Sequence, residues 1–176
     1  MGMGNVRVRC SDIGLAGPKR WAWLALALLC AVSLPPGAHA GDKVKVKGAI
    51  TATADLNPDF RGRPSPVVLI LFQLAAPDTF KNADFASLYD PKAPVLGKDL
   101  IDRLQMTVQP GEMRPLEAEF DEGARYLGVV AAYRDIEHAE WRGVVVLPEK
   151  GFFKKVFSRQ KLAIALESIA LSAKLE

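Results

Sequence analysis

Apolar and polar residues alternate with a period of two along much of this chain, the mark of strands with one buried face. Val44 to Ala54 (VKVKGAITATA) reads as a half-buried strand, and Arg114 to Phe120 puts Leu116, Ala118 and Phe120 on one face with Glu117 and Glu119 on the other. Elsewhere the apolar run is nearly unbroken, as in Val67 to Leu74 (VVLILFQL), Tyr126 to Tyr133 (YLGVVAAY) and Trp141 to Leu147 (WRGVVVL). Such runs predict strands covered on both faces. Lys161 to Leu175 alternates through Leu162, Ile164 and Leu166, slips by one residue at Glu167-Ser168, and resumes through Ile169, Leu171 and Ala173. The slip predicts a turn or bulge between two strands.

Punctuation between these runs is equally informative. Asp55 to Pro66 (DLNPDFRGRPSP) is dense in turn formers and predicts a loop. Pro77-Asp78 opens a helix over Thr79 to Tyr89, with Phe80, Phe85 and Leu88 placed to share a face, and a Pro-Lys-Ala-Pro linker follows at 91–94. Leu100 to Val108 suits helix or strand; the following Gln109-Pro110-Gly111-Glu112 favours a strand, because a type II turn takes Pro then Gly at its centre. Seven or eight short strands with one helical insertion predict a mainly β protein, a two-sheet sandwich of immunoglobulin or transthyretin type.

The first forty residues are of another kind. Lys19 and Arg20 precede the apolar run Trp21 to Leu34, then Pro35-Pro36-Gly37 and Ala38-His39-Ala40. A basic edge, an apolar stretch of about 7–15 residues and an A-x-A site describe an export signal, and a membrane span needs about 20 apolar residues. The expected division is a leader over 1–40, cleaved between Ala40 and Gly41, and one sandwich domain over 41–176. Cys30 is a weak candidate for lipidation: a lipoprotein signal wants a small residue before its cysteine, and Leu29 is bulky.

Composition changes meaning once the leader is set aside. The chain holds 23 Lys and Arg against 20 Asp and Glu. Removing Arg7, Arg9, Lys19, Arg20 and Asp12 with the leader leaves a balance of zero, so the basic character gives no support to nucleic-acid binding. Both cysteines, Cys10 and Cys30, go with it, leaving His138 as the remaining histidine. Little is left of the chemistry of nucleophilic, redox or metal sites, and no cofactor is expected. Glu117, Glu119, Asp121 and Glu122 could be read as holding an acid/base pair, but Glu117 and Glu119 alternate on the outward face of a strand, which makes them a solvated face, and nothing in the sequence argues for a catalytic cleft. Gly151 to Gln160 (GFFKKVFSRQ) is basic and aromatic, suited to covering a sandwich end or to meeting lipid headgroups or an acidic partner.

What remains points to binding. The loop 55–66 carries Phe60, Arg61 and Arg63 among turn formers, and aromatic and Arg side chains are the usual anchors of protein interfaces. Asn57, Asp59, Phe60, Arg61 and Arg63 are therefore the candidate partner-binding residues. The competing arrangement has Arg63 paired with Asp59 and Phe60 plugging the sandwich end. Arg134-Asp135 and Trp141-Arg142 flank a short connection, where they are expected to cap strand ends with Trp141 in the core.

Three blocks together, NPDFRGRPSP leading into VVLILFQL, FKNADF at 80–85, and LGVVAAYRD at 127–135 followed by Ala139 and Trp141-Arg142, resemble the TssJ (SciN-like) family, lipoproteins of bacterial type VI secretion systems. The resemblance runs from about Val44 to Leu175. It implies a transthyretin-like sandwich with an extra helical element and no catalysis. It also implies a periplasmic place at the inner leaflet of the outer membrane, tethered by lipid. The implied partners are the periplasmic C-terminal part of the IcmF-like subunit TssM and, indirectly, TssL, with the loop between the first two strands in contact with TssM. The alternative is a soluble periplasmic sandwich binding a small ligand such as a glycan or peptide.

Overall fold

The computed structural model describes residues 43–121, 123–147 and 161–176. The expectations for Cys30, Ala40, Gly41, Glu122 and the stretch 151–160 lie outside the described residues.

Among the described residues, eight strands form two four-stranded sheets. They are β1 (Lys43–Ala52), β2 (Val67–Leu74), β3 (Leu100–Val108), β4 (Met113–Asp121), β5 (Tyr126–Ala132), β6 (Arg142–Val146), β7 (Leu162–Leu166) and β8 (Leu171–Leu175). One sheet has the order β4-β1-β7-β8, the other β3-β2-β5-β6. Every pairing is antiparallel except β1 with β7, which is parallel. At that parallel pair Gly48 sits opposite Leu162. A Cβ at position 48 would fall 2.2 Å from the Leu162 carbonyl oxygen, so the close approach requires glycine.

The alternating strands behave as their patterns dictate. Leu116 and Phe120 of β4 are buried, Glu117 and Glu119 exposed. They pack with Val46 and Ile50 of β1 and Leu162, Ile164 and Leu166 of β7 against Leu69, Leu71, Leu127 and Val129 of the second sheet. The sheets are also tied by a polar clasp. Gln73, nearly buried, donates from Nε2 to the Glu119 carbonyl at 2.7 Å and accepts at Oε1 from the Asp121 N–H at 2.8 Å. It thereby satisfies two backbone groups on the free edge of β4 that burial would otherwise orphan.

The unbroken run of β2 is explained by a second core on its other side. Ile70, Phe72 and Leu74, with Val130 of β5, meet Phe80, Leu88 and Leu96 of the segment joining β2 to β3. That segment differs from the single helix expected over Thr79 to Tyr89. It holds two short helices, α1 (Asp78–Asn82) and α2 (Phe85–Tyr89), then a 3-10 turn at Pro94–Asp99 partly occupying the expected linker. The break follows from Asp84, whose carboxylate accepts from Ser87 N at 2.9 Å and Ser87 Oγ at 2.7 Å and so starts a new helix, with Ala83 extended before it. Phe80 lies 5.4 Å from Phe72 and over Gly128, where a Cβ would come within 2.7 Å of its ring. Burying a ring of this size stabilises by about 1.5–3 kcal/mol.

Turns came out as their residues require. Gly111 takes φ 72 in the β3–β4 turn, as a type II turn demands. The phase slip after Leu166 is a turn between β7 and β8, and it leaves Ile169 40% exposed rather than on the buried face with Leu171.

Candidate docking surface

Four connections meet at the end of the sandwich where β1 finishes: residues 53–66, 109–112, 133–141 and 167–170. Backbone bonds tie them together. Thr53 N–H donates to Leu166 O and Thr53 O accepts from Gly111 N–H; Asn57 N–H donates to Ser168 O; Glu140 N–H donates to Ile169 O. Lys43, where β1 begins, pairs with Asp121 at the opposite end.

Within 53–66 the base is a piece of core. Leu56 is fully buried and Asn57 nearly so. Asn57 adopts φ 49, a left-handed conformation that Asn tolerates better than most residues. Its Nδ2 donates to Pro66 O at 2.9 Å and its Oδ1 accepts from Arg134 N–H at 2.8 Å. This expected contact residue thus turns its amide inward and fastens the loop to the β5–β6 connection.

The apex is built by Asp59. Its Oδ1 accepts from the N–H groups of Arg61 and Arg63, both at 2.9 Å, and its Oδ2 meets Arg63 Nε at 2.8 Å and Nη2 at 2.7 Å. Backbone bonds from Asp59 N–H to Arg63 O and from Gly62 N–H to Asp59 O close the turn, with Gly62 at φ 75. The Arg63 bonds hold the Asp59 carboxyl below the usual carboxylate range against an opposing effect of desolvation, with lesser help from the Arg61 N–H and the Arg134 charge. Arg63 is therefore spent on the turn, as one of the two sequence readings had it.

Phe60 departs from that reading. It is 90% exposed, the most exposed of the large apolar side chains at described positions, and the Arg61 guanidinium rests 5.1 Å from its ring centroid. An apolar ring is thus held in water at the apex of a carboxylate-pinned turn.

Beside Phe60 runs a shallow groove of about 530 Å³ lined by Pro58, Asp59, Phe60, Arg134, Asp135 and Ile169. Tyr133, next to it, is buried and donates from its hydroxyl to Ala170 O at 2.7 Å, fixing the 167–170 turn; burial and the nearby Glu167 charge push its ionisation well above the ordinary phenol range. Neither the exposure of Ile169 nor its place in one groove with Arg134 follows from local sequence, because both depend on which loops share an end.

The remaining candidates sit elsewhere. Trp141 is half-buried, its ring centroid 5.4 Å from that of Phe85, and Arg142 donates from Nη1 to the carbonyls of Phe80 and Ala83 at 3.0 and 2.8 Å, capping α1 rather than a strand. His138 pairs on the surface with Asp135 at 2.8 Å. Glu117 and Glu119 face water opposite Lys47 and Lys45 on β1, with Lys45 Nζ 3.6 Å from Glu119 Oε1. They form a charge ladder across two strands, and both also border a hollow of about 380 Å³ shared with Gln73, Asp102 and Arg103.

Comparison with known proteins gives a consistent picture. The family model described as "Type VI secretion lipoprotein, VasD, EvfM, TssJ, VC_A0113" matches residues 44–169. Among solved structures, the type VI secretion lipoprotein TssJ1 from Pseudomonas aeruginosa is 33% identical, with a TM-score of 0.68 over 77% of this chain and 98% of that one. Serratia marcescens Lip, described as a membrane-bound component of the type VI secretion system, is 27% identical, with a TM-score of 0.66 over 75% and 96%. A chain of a structure described as the type VI membrane complex, 23% identical with a TM-score of 0.62 over 74% and 98%, shares the fold. No curated protein sequence matches the chain.

Proposed function

The chain belongs to the TssJ (SciN) family of type VI secretion lipoproteins, and on that premise we propose that it is a non-catalytic docking subunit of the secretion system's membrane complex. In this reading it stands in the periplasm at the outer membrane and holds the periplasmic C-terminal part of the IcmF-like subunit TssM, and through it TssL. Loop 55–66 is the contact, with Phe60 and Arg61 touching the partner and Asn57, Asp59 and Arg63 setting their geometry.

The observation that carries this reading is Phe60, 90% exposed on a turn closed by Asp59. Pre-formed loops lose little freedom on binding, and an aromatic ring beside an arginine is the usual composition of an interface hot spot. Topology supports the direction. Strand β1 begins at Lys43, while loop 55–66 follows Ala52 at the far end of a ten-residue strand, roughly 30 Å away. An attachment at the Lys43 end of that strand leaves the loop pointing away from the membrane.

Co-purification of the exported chain with the periplasmic segment of the neighbouring IcmF-like protein tests the proposal. Phe60→Ala and Arg61→Glu are expected to weaken the complex by roughly thirty-fold or more, about 2 kcal/mol, with unchanged thermal unfolding. Wild-type binding by both variants would remove the loop from the interface.

A further inference from the structure

We propose that the docking surface has a second half, the groove between loop 55–66 and the 133–141 and 167–170 connections, and that it receives a carboxylate flanked by an aliphatic or aromatic side chain. This rests on the docking role proposed above and specifies the chemistry of the partner's epitope.

Of the groove's two carboxylates, Asp59 is paired with Arg63 and accepts from two backbone N–H groups, while Asp135 meets the imidazole of His138 at 2.8 Å. Among the described residues, neither Arg134, which lines the groove, nor Arg61, at its rim, makes a salt bridge. Within the groove's lining and rim, two guanidinium groups, Arg61 and Arg134, thus face a partner beside the single carboxylate of Asp135. A guanidinium presents a planar fork that accepts a carboxylate through two N–H donors, which fixes orientation as well as sign.

The apolar part of the epitope follows from the same walls. Phe60 and Ile169, 90% and 40% exposed, both line the groove. A partner side chain laid against them loses part of its water, and an ion pair formed beside it is screened less than one on a fully open surface.

The groove is held ready before any partner arrives. Asn57 binds the Arg134 N–H through Oδ1 and the Ser168 carbonyl through its own N–H, so one residue locks all three walls in register. Residues distant in sequence thereby form one surface with Phe60.

Affinity between the full chain, exported and processed by the cell, and the periplasmic segment of the neighbouring IcmF-like protein is to be measured at low and high salt. The variants are Phe60→Ala, Arg134→Glu, Ile169→Asp and, as a control with the same charge change on the exposed 3-10 turn, Lys98→Glu. Arg134→Glu and Ile169→Asp are each expected to lose roughly ten-fold or more, Arg134→Glu with a flattened salt dependence, while Lys98→Glu matches wild type. Binding to Arg134→Glu regained when one partner carboxylate is changed to lysine would identify the paired group. If Phe60→Ala binds poorly but Arg134→Glu and Ile169→Asp bind as wild type, the groove is refuted and the loop contact stands. If Phe60→Ala also binds as wild type, both readings fall together. Equal weakening by Lys98→Glu would reduce the effect to net charge and overturn the groove. Thermal unfolding accompanies each variant, and Arg134→Gln replaces any Arg134→Glu protein that does not fold.

Discussion

Two long connections flank β2, and they treat their phenylalanines in opposite ways. The one after β2, residues 75–99, folds Phe80, Leu88 and Leu96 down onto the sheet until none is more than 2% exposed. The one before it, residues 53–66, buries Leu56 and Asn57 at its base but leaves Phe60 in water. The first uses apolar contact to gain stability. The second uses polar bonds to gain shape: Asn57 and Asp59 between them hold the apex through bonds to Pro66, Arg134, Arg61 and Arg63. Stability and the proposed recognition thus sit in adjacent connections of one strand, and substitutions can address them separately.

The largest effect belongs to the stabilising side. Phe80→Ala empties the site beside Phe72 and Gly128 and is expected to lower unfolding free energy by about 3–5 kcal/mol in urea titration, without altering the loop's surface. Gly128→Ala, whose Cβ would strike the Phe80 ring, and Gly48→Ala, whose Cβ would strike the Leu162 backbone, are each expected to cost about 1–3 kcal/mol. Gly48→Ala is the more damaging, because a backbone carbonyl has less room to move than a ring. Asn57→Ala falls between the two regions: losing bonds to Pro66 O and Arg134 N–H is expected to cost about 1–3 kcal/mol and to loosen partner binding as well. Phe60→Ala is expected to stay within about 0.5 kcal/mol of wild type in stability while affinity falls, the sharpest separation of the two roles.

Acid gives the smallest and most local effect. The Asp59 carboxyl is held below its ordinary range in the folded chain, so its stabilisation of the turn is full above the unfolded value and is lost as pH falls through the lower folded value. Amide NMR shifts of Arg61 and Arg63 are expected to titrate together in that acidic window and to be insensitive to pH there in Asp59→Asn. A transition at or above the ordinary carboxylate range would contradict the pinned turn.

The sandwich was readable in the sequence because its strands carry their burial in local pattern. Alternation in β4 and the unbroken run of β2 each report how many faces are covered, and Pro110-Gly111 marks its turn by backbone preference alone. The split of the helical segment is hidden from the spacing of Phe80, Phe85 and Leu88, because it turns on Asp84, whose spacing to Ser87 makes it a cap. In the candidate surface, the Asp59–Arg63 pairing was visible as one of two local arrangements. The inward turn of Asn57, the groove and Arg134's place in it were not, since they depend on contacts across more than seventy residues. Arg142 shows the same limit: its carbonyl partners lie about sixty residues upstream.

The position of β1 has a mechanical consequence. It is an interior strand, paired with β4 along nine residues and with β7 along five. A pulling force that enters at Lys43 and is resisted at the loop end runs along the strand axis, so it loads those ladders in shear. The bonds share the strain and yield together instead of opening one by one, as they would in a strand peeled from an edge. In single-molecule stretching between these two points, the domain should therefore rupture in one abrupt event.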